Sequence, residues 1–211
     1  MNRGAVAMLC AGLLLAGCGA GRAAPAKQRR AGVGVDRGDG IPTSLLLGVR
    51  PIGSGPRFRL PVTGTPTGRC EPVLGPRLAA HIELFGANQV LLLAAGIGTK
   101  PPWHRSGYRI TAARCFGDVV TLDPTGTVYF RPATGVTLGT VFRAWGQTLS
   151  ASRIASFTGG KTLTYVGGRL WHGAAAAVPL SSGAEIVVEI GPRVPPHTHF
   201  AFSQPPSPQM R

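Results

Sequence analysis

From about residue 78 the chain alternates short apolar or β-branched runs with glycine, proline and serine, a pattern typical of strands and turns. Two pairs of runs flank turn-forming residues and predict hairpins, and two later runs predict further strands. The runs are His81–Phe85 with Gln89–Ala95, Val119–Leu122 with Thr127–Arg131, and then Thr162–Val166 and Glu185–Ile190. In the second pair, Asp123, Pro124 and Gly126 suit a type I turn.

One segment, residues 137–146, has helical spacing instead, because four apolar residues fall at i, i+3, i+4 and i+7. These residues are Leu138, Val141, Phe142 and Trp145. Thr137 suits the N-cap, and Gly146 suits the left-handed position that ends a helix. Together with six or more strands, this predicts an α+β domain that is predominantly β, with a small mixed or antiparallel sheet and one short amphipathic helix. A β-sandwich is the alternative.

The first residues have the pattern of an export signal, with Arg3 ahead of an apolar run from Ala5 to Ala16. This run is shorter than the roughly 20 residues that span a bilayer. The stretch Leu15–Cys18 resembles the lipobox of bacterial lipoproteins. The resemblance implies that residues 1–17 are a signal peptide and that Cys18 carries a diacylglycerol, with palmitate among its acyl chains. A secretory signal with an incidental cysteine, or an uncleaved signal anchor, is the alternative.

The remainder of the chain divides by composition. Residues 18–42 are rich in glycine, alanine and arginine and are interpreted as a flexible basic tether. Residues 43–77 are interpreted as an extended arm, with a strand at Leu45–Val49. The β-rich globular domain is expected over residues 78–203, and residues 204–211 form a C-terminal tail.

The cysteines also favour export. Cys10 leaves with the signal and Cys18 is acylated, so Cys70 and Cys115 remain as a pair. Outside the cytoplasm such a pair usually forms a disulfide. Two free buried thiols are the alternative.

The formal net charge of +14 raises the possibility of nucleic-acid binding. Nineteen of the 22 basic residues are arginines, a bias that a GC-rich genome produces without selection for a ligand. Export argues against nucleic acid as a partner, and basic charge beside the anchor could attract anionic headgroups. The predicted partners are therefore the membrane, through the lipid, and an unidentified envelope protein.

Several short pieces, in the same order along residues 78–203, resemble an uncharacterised family of small secreted or membrane-anchored bacterial and archaeal domains. They are His81–Phe85, Ala95–Gly98, Cys115, Asp123–Gly126, Thr137–Gly139, Phe142, Trp145–Gly146 and Ile186–Gly191. Relatives carry histidines on both hairpins, including a His-Thr-His-Asp motif, and the resemblance implies a β-rich fold and a metal site in those relatives. Cys115 belongs to this pattern, so it could have a role that is independent of Cys70.

This chain lacks most of those histidines. Residues 120–123 read Val-Thr-Leu-Asp where the motif would lie, and Tyr129 stands where the return strand would carry another histidine. His81 and Asp123 remain. The resemblance thus supports the fold and gives no inherited metal site.

The other pattern with ligand spacing is His197-Thr198-His199, since residues i and i+2 of an extended segment point to the same side. These two imidazoles would bind copper or zinc if a third ligand approached. The candidates for that ligand are His81, His104, His172 and Met210.

Enzyme motifs are absent from the sequence. It contains no G-x-S-x-G elbow, no Ser-x-x-Lys pair and no G-x-x-x-x-G-K-[ST] loop. Glu185 and Glu189 share a strand face but lie about 13 Å apart at roughly 3.3 Å per residue, too far for a retaining carboxylate pair. We therefore expect a lipid-anchored binding or interaction module at the outer face of the cytoplasmic membrane, with no catalytic activity and no cofactor. The alternative is a lipoprotein that handles copper or zinc.

Overall fold

The computed structural model describes residues 50–132, 134–193 and 196–202. The predicted signal peptide, the lipidation site Cys18, the tether, the strand Leu45–Val49 and the tail 204–211 lie outside these residues. Within the described residues, no helix is both long enough and apolar enough to cross a membrane.

The described residues form twelve strands, one α-helix and one 3₁₀ turn at Ala175–Ala177. The strands are β1 (Leu78–Gly86), β2 (Gln89–Leu91), β3 (Thr99–Ser106), β4 (Arg109–Phe116), β5 (Val119–Val120), β6 (Thr127–Phe130), β7 (Leu149–Ser150), β8 (Arg153–Ile154), β9 (Phe157–Thr158), β10 (Thr162–Val166), β11 (Arg169–Leu170) and β12 (Glu185–Ile190). The helix α1 is Leu138–Trp145. The predicted class, a predominantly β domain with one short helix, is confirmed.

A seven-stranded mixed sheet organises the domain, in the order β11-β10-β12-β1-β6-β5, with β2 also paired to β1. Strand β1 is its centre, because its first half pairs antiparallel with β6 and its second half pairs antiparallel with β2. On its other side β1 runs parallel to β12, with His81 opposite Glu185 and Gly86 opposite Ile190. This parallel pair brings together residues that are far apart in the sequence.

Both predicted hairpins are present. Strands β1 and β2 are joined at Ala87 and Asn88, whose positive φ angles of 50° and 68° belong to the left-handed region that tight hairpin turns use. Strands β5 and β6 pair with Val119 opposite Phe130. The helix also has its predicted ends, since Thr137 is the N-cap and Gly146 ends it with φ 79°.

The sheet has two different faces because side chains alternate along each strand. On one face, Ile82 and Ile186 pack in the main core against α1, whose Phe142 and Trp145 are fully buried. On the other face, β1 and β12 carry polar side chains that are also buried. They are His81, Glu83, Glu185 and Glu189.

The segment before β1 is fastened to the domain by a disulfide. Cys70 and Cys115 are bonded, with their Cα atoms 5.3 Å apart, which confirms the predicted pair. Next to it, the backbone of Glu71 exchanges two hydrogen bonds with Phe116, at 3.0 and 2.7 Å. The disulfide therefore ties this segment to β4, one strand of a two-stranded ribbon, β3–β4, that the apolar pattern did not predict.

Candidate functional site

A buried cluster of histidine and glutamate lies on the polar face of the sheet. His81 and Glu83 are two residues apart on β1 and therefore point to the same face. Glu185 joins them because the parallel register places it opposite His81. The three residues are 0%, 4% and 2% exposed, respectively, so water solvates none of them well.

Two hydrogen bonds fix the orientation of the His81 ring. Its Nε2 lies 2.9 Å from the carbonyl oxygen of Thr125. A carbonyl only accepts, so Nε2 carries the proton and donates. The other ring nitrogen, Nδ1, lies 2.8 Å from Oε2 of Glu185, and this contact holds one further proton.

The burial of the pair decides where that proton resides. Burial lowers the pKa of His81 to about 4 and raises the pKa of Glu185 to about 8, since removal from water disfavours the charged form of each. At neutral pH the pair is therefore uncharged, with Glu185 donating its carboxyl proton to Nδ1 of His81.

Glu83 is contacted by a residue from the C-terminal end of the described chain. Nδ1 of His197 lies 2.8 and 2.7 Å from the two carboxylate oxygens of Glu83. Burial is the main cause that raises the pKa of Glu83, and the neighbouring carboxyl group of Glu185 adds to it because ionising both acids would place two negative charges close together. His197 is partly exposed and forms the outer edge of the cluster.

Residues 196–202, here called the C-terminal arm, cover the cluster. The ring of Phe200 stacks on the His81 ring, with the centroids 3.7 Å apart and the planes 7° from parallel. Phe202 packs edge-on against Phe200 at 5.0 Å. The arm therefore separates His81 from solvent and delivers His197 to Glu83.

The donor atoms of the cluster converge. One ligand atom from each of His81, Glu83 and Glu185 lies within 4.8 Å of the others. Oε1 of Glu185 is buried and has no hydrogen-bond partner among the described residues. Burying a polar oxygen without a partner is costly, about 1–3 kcal/mol, so this oxygen is available to bind a cation. The set of imidazole and carboxylate donors suits zinc, copper(II) and similar divalent ions.

The structure separates the histidines that the sequence singled out. His81 and His197 belong to the cluster, whereas His199 is exposed, with Nδ1 3.1 Å from the hydroxyl of Thr198. His104 and His172 are exposed on other elements, and neither is part of the cluster. Met210 lies outside the described residues.

The positions where the resemblance would place histidines have a different environment. Val120, Leu122 and Tyr129 form a small apolar cluster with Leu74 and Phe116. These side chains pack against one another and offer no imidazole for a metal. The polar cluster at His81 is therefore a different arrangement from the one that the family pattern implies.

A second feature is a cleft of about 480 Å³ beside β2, here called the Arg59 cleft. Its walls come from four separate parts of the chain: the segment before β1, the end of β2, the tip of the β3–β4 ribbon and the turn before β6. The lining residues are Ile52, Gly53, Ser54, Arg59, Leu60, Pro61, Leu92, Ala94, Tyr108 and Pro124.

Comparisons with protein-family models, with curated proteins and with solved structures found no match to this chain. Among the described residues, the His81 cluster and the Arg59 cleft are the features on which the proposals below rest.

Proposed function

We propose that this chain is an exported, lipid-anchored protein whose domain binds one zinc or copper(II) ion through His81, Glu83, Glu185 and His197. The observation that carries the proposal is the convergence of three buried donors within 4.8 Å, with a fourth donor in contact with Glu83. A selective site needs three or four convergent ligands, and this cluster supplies them.

The spacing of the donors suits a small cation. A tetrahedral ion with bonds of about 2.0 Å separates its ligands by about 3.3 Å. The hydrogen-bonded pairs in the cluster stand at 2.7 to 2.8 Å. An ion that replaced the shared protons would move these donors apart by about half an ångström, which side-chain rotations can supply.

The environment of His81 also favours metal binding. Histidine ligands commonly donate their second ring N–H to a carbonyl or carboxylate, which fixes the ring and its tautomer. Here Nε2 donates to the carbonyl of Thr125, so the lone pair of Nδ1 faces Glu185 and can bind a metal ion in place of the Glu185 proton.

A cation would also offset the cost of the buried acids. Glu83, Glu185 and Glu189 all lie on one sheet face and are each less than 5% exposed. Burying carboxyl groups costs more than apolar packing of similar volume unless a partner compensates. A divalent ion between Glu83 and Glu185 supplies such compensation, whereas Glu189 has the hydroxyl of Tyr165 at 3.3 Å.

The cellular location is proposed from the sequence. The export signal and the lipobox-like stretch that ends at Cys18 favour a lipid anchor on the outer face of the cytoplasmic membrane. The disulfide between Cys70 and Cys115 supports an oxidising compartment. A non-catalytic role in holding or delivering metal is part of the proposal, because four protein side chains would complete a tetrahedral coordination sphere.

A second candidate function is a binding module for another component of the envelope, without metal. The Arg59 cleft favours it, because a preformed concave site is the usual form of a ligand-binding surface.

Titration calorimetry on residues 18–211 carrying Cys18→Ser tests the metal proposal without detergent. We expect one zinc or copper(II) ion per chain. We expect Glu185→Gln and His197→Gln to weaken binding by at least about tenfold. Glu71→Gln and His104→Gln are matched controls, since these residues lie outside the cluster, and they should bind as the parent does. X-ray absorption of the loaded protein should show nitrogen and oxygen ligands at about 2.0 Å.

Two results would contradict the metal proposal: no stoichiometric binding by the parent protein, or equal weakening by site and control variants. In either case the binding-module function would be favoured.

A further inference from the structure

We propose that the Arg59 cleft binds a fatty carboxylate, a ligand with one acyl chain and an anionic head. The Arg59 guanidinium would pair with the carboxylate, and the acyl chain would lie in the cleft. This inference concerns a different site from the His81 cluster and does not depend on metal.

The cleft is held open by backbone hydrogen bonds. The N–H of Gly53 donates to Val90 at 3.0 Å, and the N–H of Val90 donates to Pro51 at 2.9 Å. Further along, the N–H of Leu92 donates to the carbonyl of Phe58 at 3.2 Å. The segment before β1 is therefore fixed along β2, and the cleft needs little rearrangement to accept a ligand.

Phe58 fixes the position of the residue that follows it, Arg59. The Phe58 ring is buried, and its centroid lies 4.8 Å from that of Phe157. It occupies the space beside Gly53 where a side chain would stand, since a Cβ there would lie 1.9 Å from the ring. The backbone of Arg59 is thus fixed next to the core, and its exposed side chain lines the cleft.

The charge of the cleft selects an anion. Arg59 is exposed and has no ion pair or hydrogen bond among the described residues. Its neighbour Arg57 differs, because its guanidinium lies over the ring of Phe157 at 4.5 Å and does not line the cleft. None of the described residues that line the cleft is acidic. A carboxylate head therefore meets an available cation without a competing acid.

The residues that line the cleft favour a ligand with an apolar chain. Ile52, Leu60 and Leu92 contribute aliphatic side chains, and Tyr108 adds a half-exposed aromatic ring at the tip of the ribbon. The volume of about 480 Å³ lies within the usual range of small-molecule sites, roughly 300–1,000 Å³. A single aliphatic chain therefore suits both the volume and the lining of the cleft.

Calorimetric titration of residues 18–211 carrying Cys18→Ser with sodium dodecanoate, below its micelle concentration, tests the proposal. We expect saturable binding of one dodecanoate per chain and weaker binding of dodecanol. Arg59→Gln should weaken dodecanoate binding by about twofold to fivefold, the range expected for an exposed ion pair. The matched control Arg57→Gln should bind as the parent does.

A second variant tests the body of the cleft. Ala94→Phe places a ring in the cleft and should abolish dodecanoate binding, while circular dichroism checks that the variant remains folded. Glu185→Gln, which alters the metal cluster, should leave dodecanoate binding unchanged, so failure at one site is distinguishable from failure at the other. The proposal is overturned if dodecanoate does not bind, or if it binds equally well to the parent, Arg59→Gln and folded Ala94→Phe.

Discussion

The buried pair of His81 and Glu185 predicts an unusual dependence of stability on pH in the metal-free protein. Both residues are almost fully buried, and Nδ1 of the histidine contacts Oε2 of the glutamate at 2.8 Å. Burial moves the two pKa values in opposite directions, to about 4 for His81 and about 8 for Glu185. Each shift contributes a slope to the free energy of unfolding, and the slopes differ in sign.

The sign follows from counting bound protons. The folded-state pKa of Glu185 is raised, so its stabilising contribution is complete below about pH 4.5 and is lost as the pH rises to about 8. The folded-state pKa of His81 is lowered, so its destabilising contribution is absent above about pH 6.5 and grows as the pH falls to about 4. Between about pH 4.5 and 6.5 the two slopes cancel, because folded and unfolded chains hold the same number of protons on this pair.

Above about pH 6.5 only the glutamate slope remains. One pKa unit corresponds to about 1.4 kcal/mol. Raising the pH from about 6.5 to 8 therefore reduces the free energy of unfolding by up to about 2 kcal/mol. Glu83 adds to the same trend, since burial also raises its pKa. We therefore expect the metal-free protein to be most stable in mildly acidic solution.

Urea denaturation with a chelator, at intervals from pH 5 to 8 and with the disulfide intact, measures this dependence. Glu185→Gln should remove most of the decline above pH 6.5. In this variant the free energy of unfolding should fall as the pH decreases below about 6.5, because the contribution of His81 is no longer cancelled by that of Glu185. Glu71→Gln is the control and should follow the parent. A parent protein whose stability rises from pH 6.5 to 8, or a Glu185→Gln variant with the same decline, would refute the assignment of the proton to this pair.

Three further outcomes are expected. Cys18→Ala should prevent lipidation and move the protein out of the membrane fraction, and unchanged processing with full membrane retention would contradict the lipoprotein hypothesis. Replacing Cys70 and Cys115 by alanine should lower the free energy of unfolding by about 4 kcal/mol in the loop-entropy model for a sequence separation of 45, measured by urea denaturation. Trp145→Ala should cost about 3–5 kcal/mol by the same measurement, because this ring of α1 is fully buried in the main core; a loss below 1 kcal/mol would show that the core does not depend on it.

Local patterns predicted the elements whose contacts are close in the sequence. The helix follows from four apolar residues and two caps within residues 137–146, and each hairpin follows from two runs and the turn between them. The apolar pattern did not predict the ribbon of β3 and β4, because most residues of these strands are exposed or half-buried. Without a buried face, a strand shows no alternation of apolar and polar residues.

The residues of the site can also be divided into those that a local sequence pattern predicts and those that depend on long-range packing. The position of Glu83 could be predicted from the sequence, since alternation on a strand places it on the same face as His81. Glu185 was not, because it meets His81 only through a parallel pairing across 104 positions, and no local pattern specifies such a register. His197 had ligand spacing with His199, but the contact of His197 with Glu83 depends on where the C-terminal arm packs.

The position of His81 in the sheet explains why the proposed site can differ from the one that the family resemblance implies. His81 has two neighbours across the sheet, Thr127 of β6 and Glu185 of β12. On the β6 side, Tyr129 and Val120 belong to an apolar cluster and supply no imidazole. On the β12 side, Glu185 faces the ring directly. The proposed site therefore takes its cross-strand ligand from β12, whereas the resemblance implies ligands on the hairpin that contains β6.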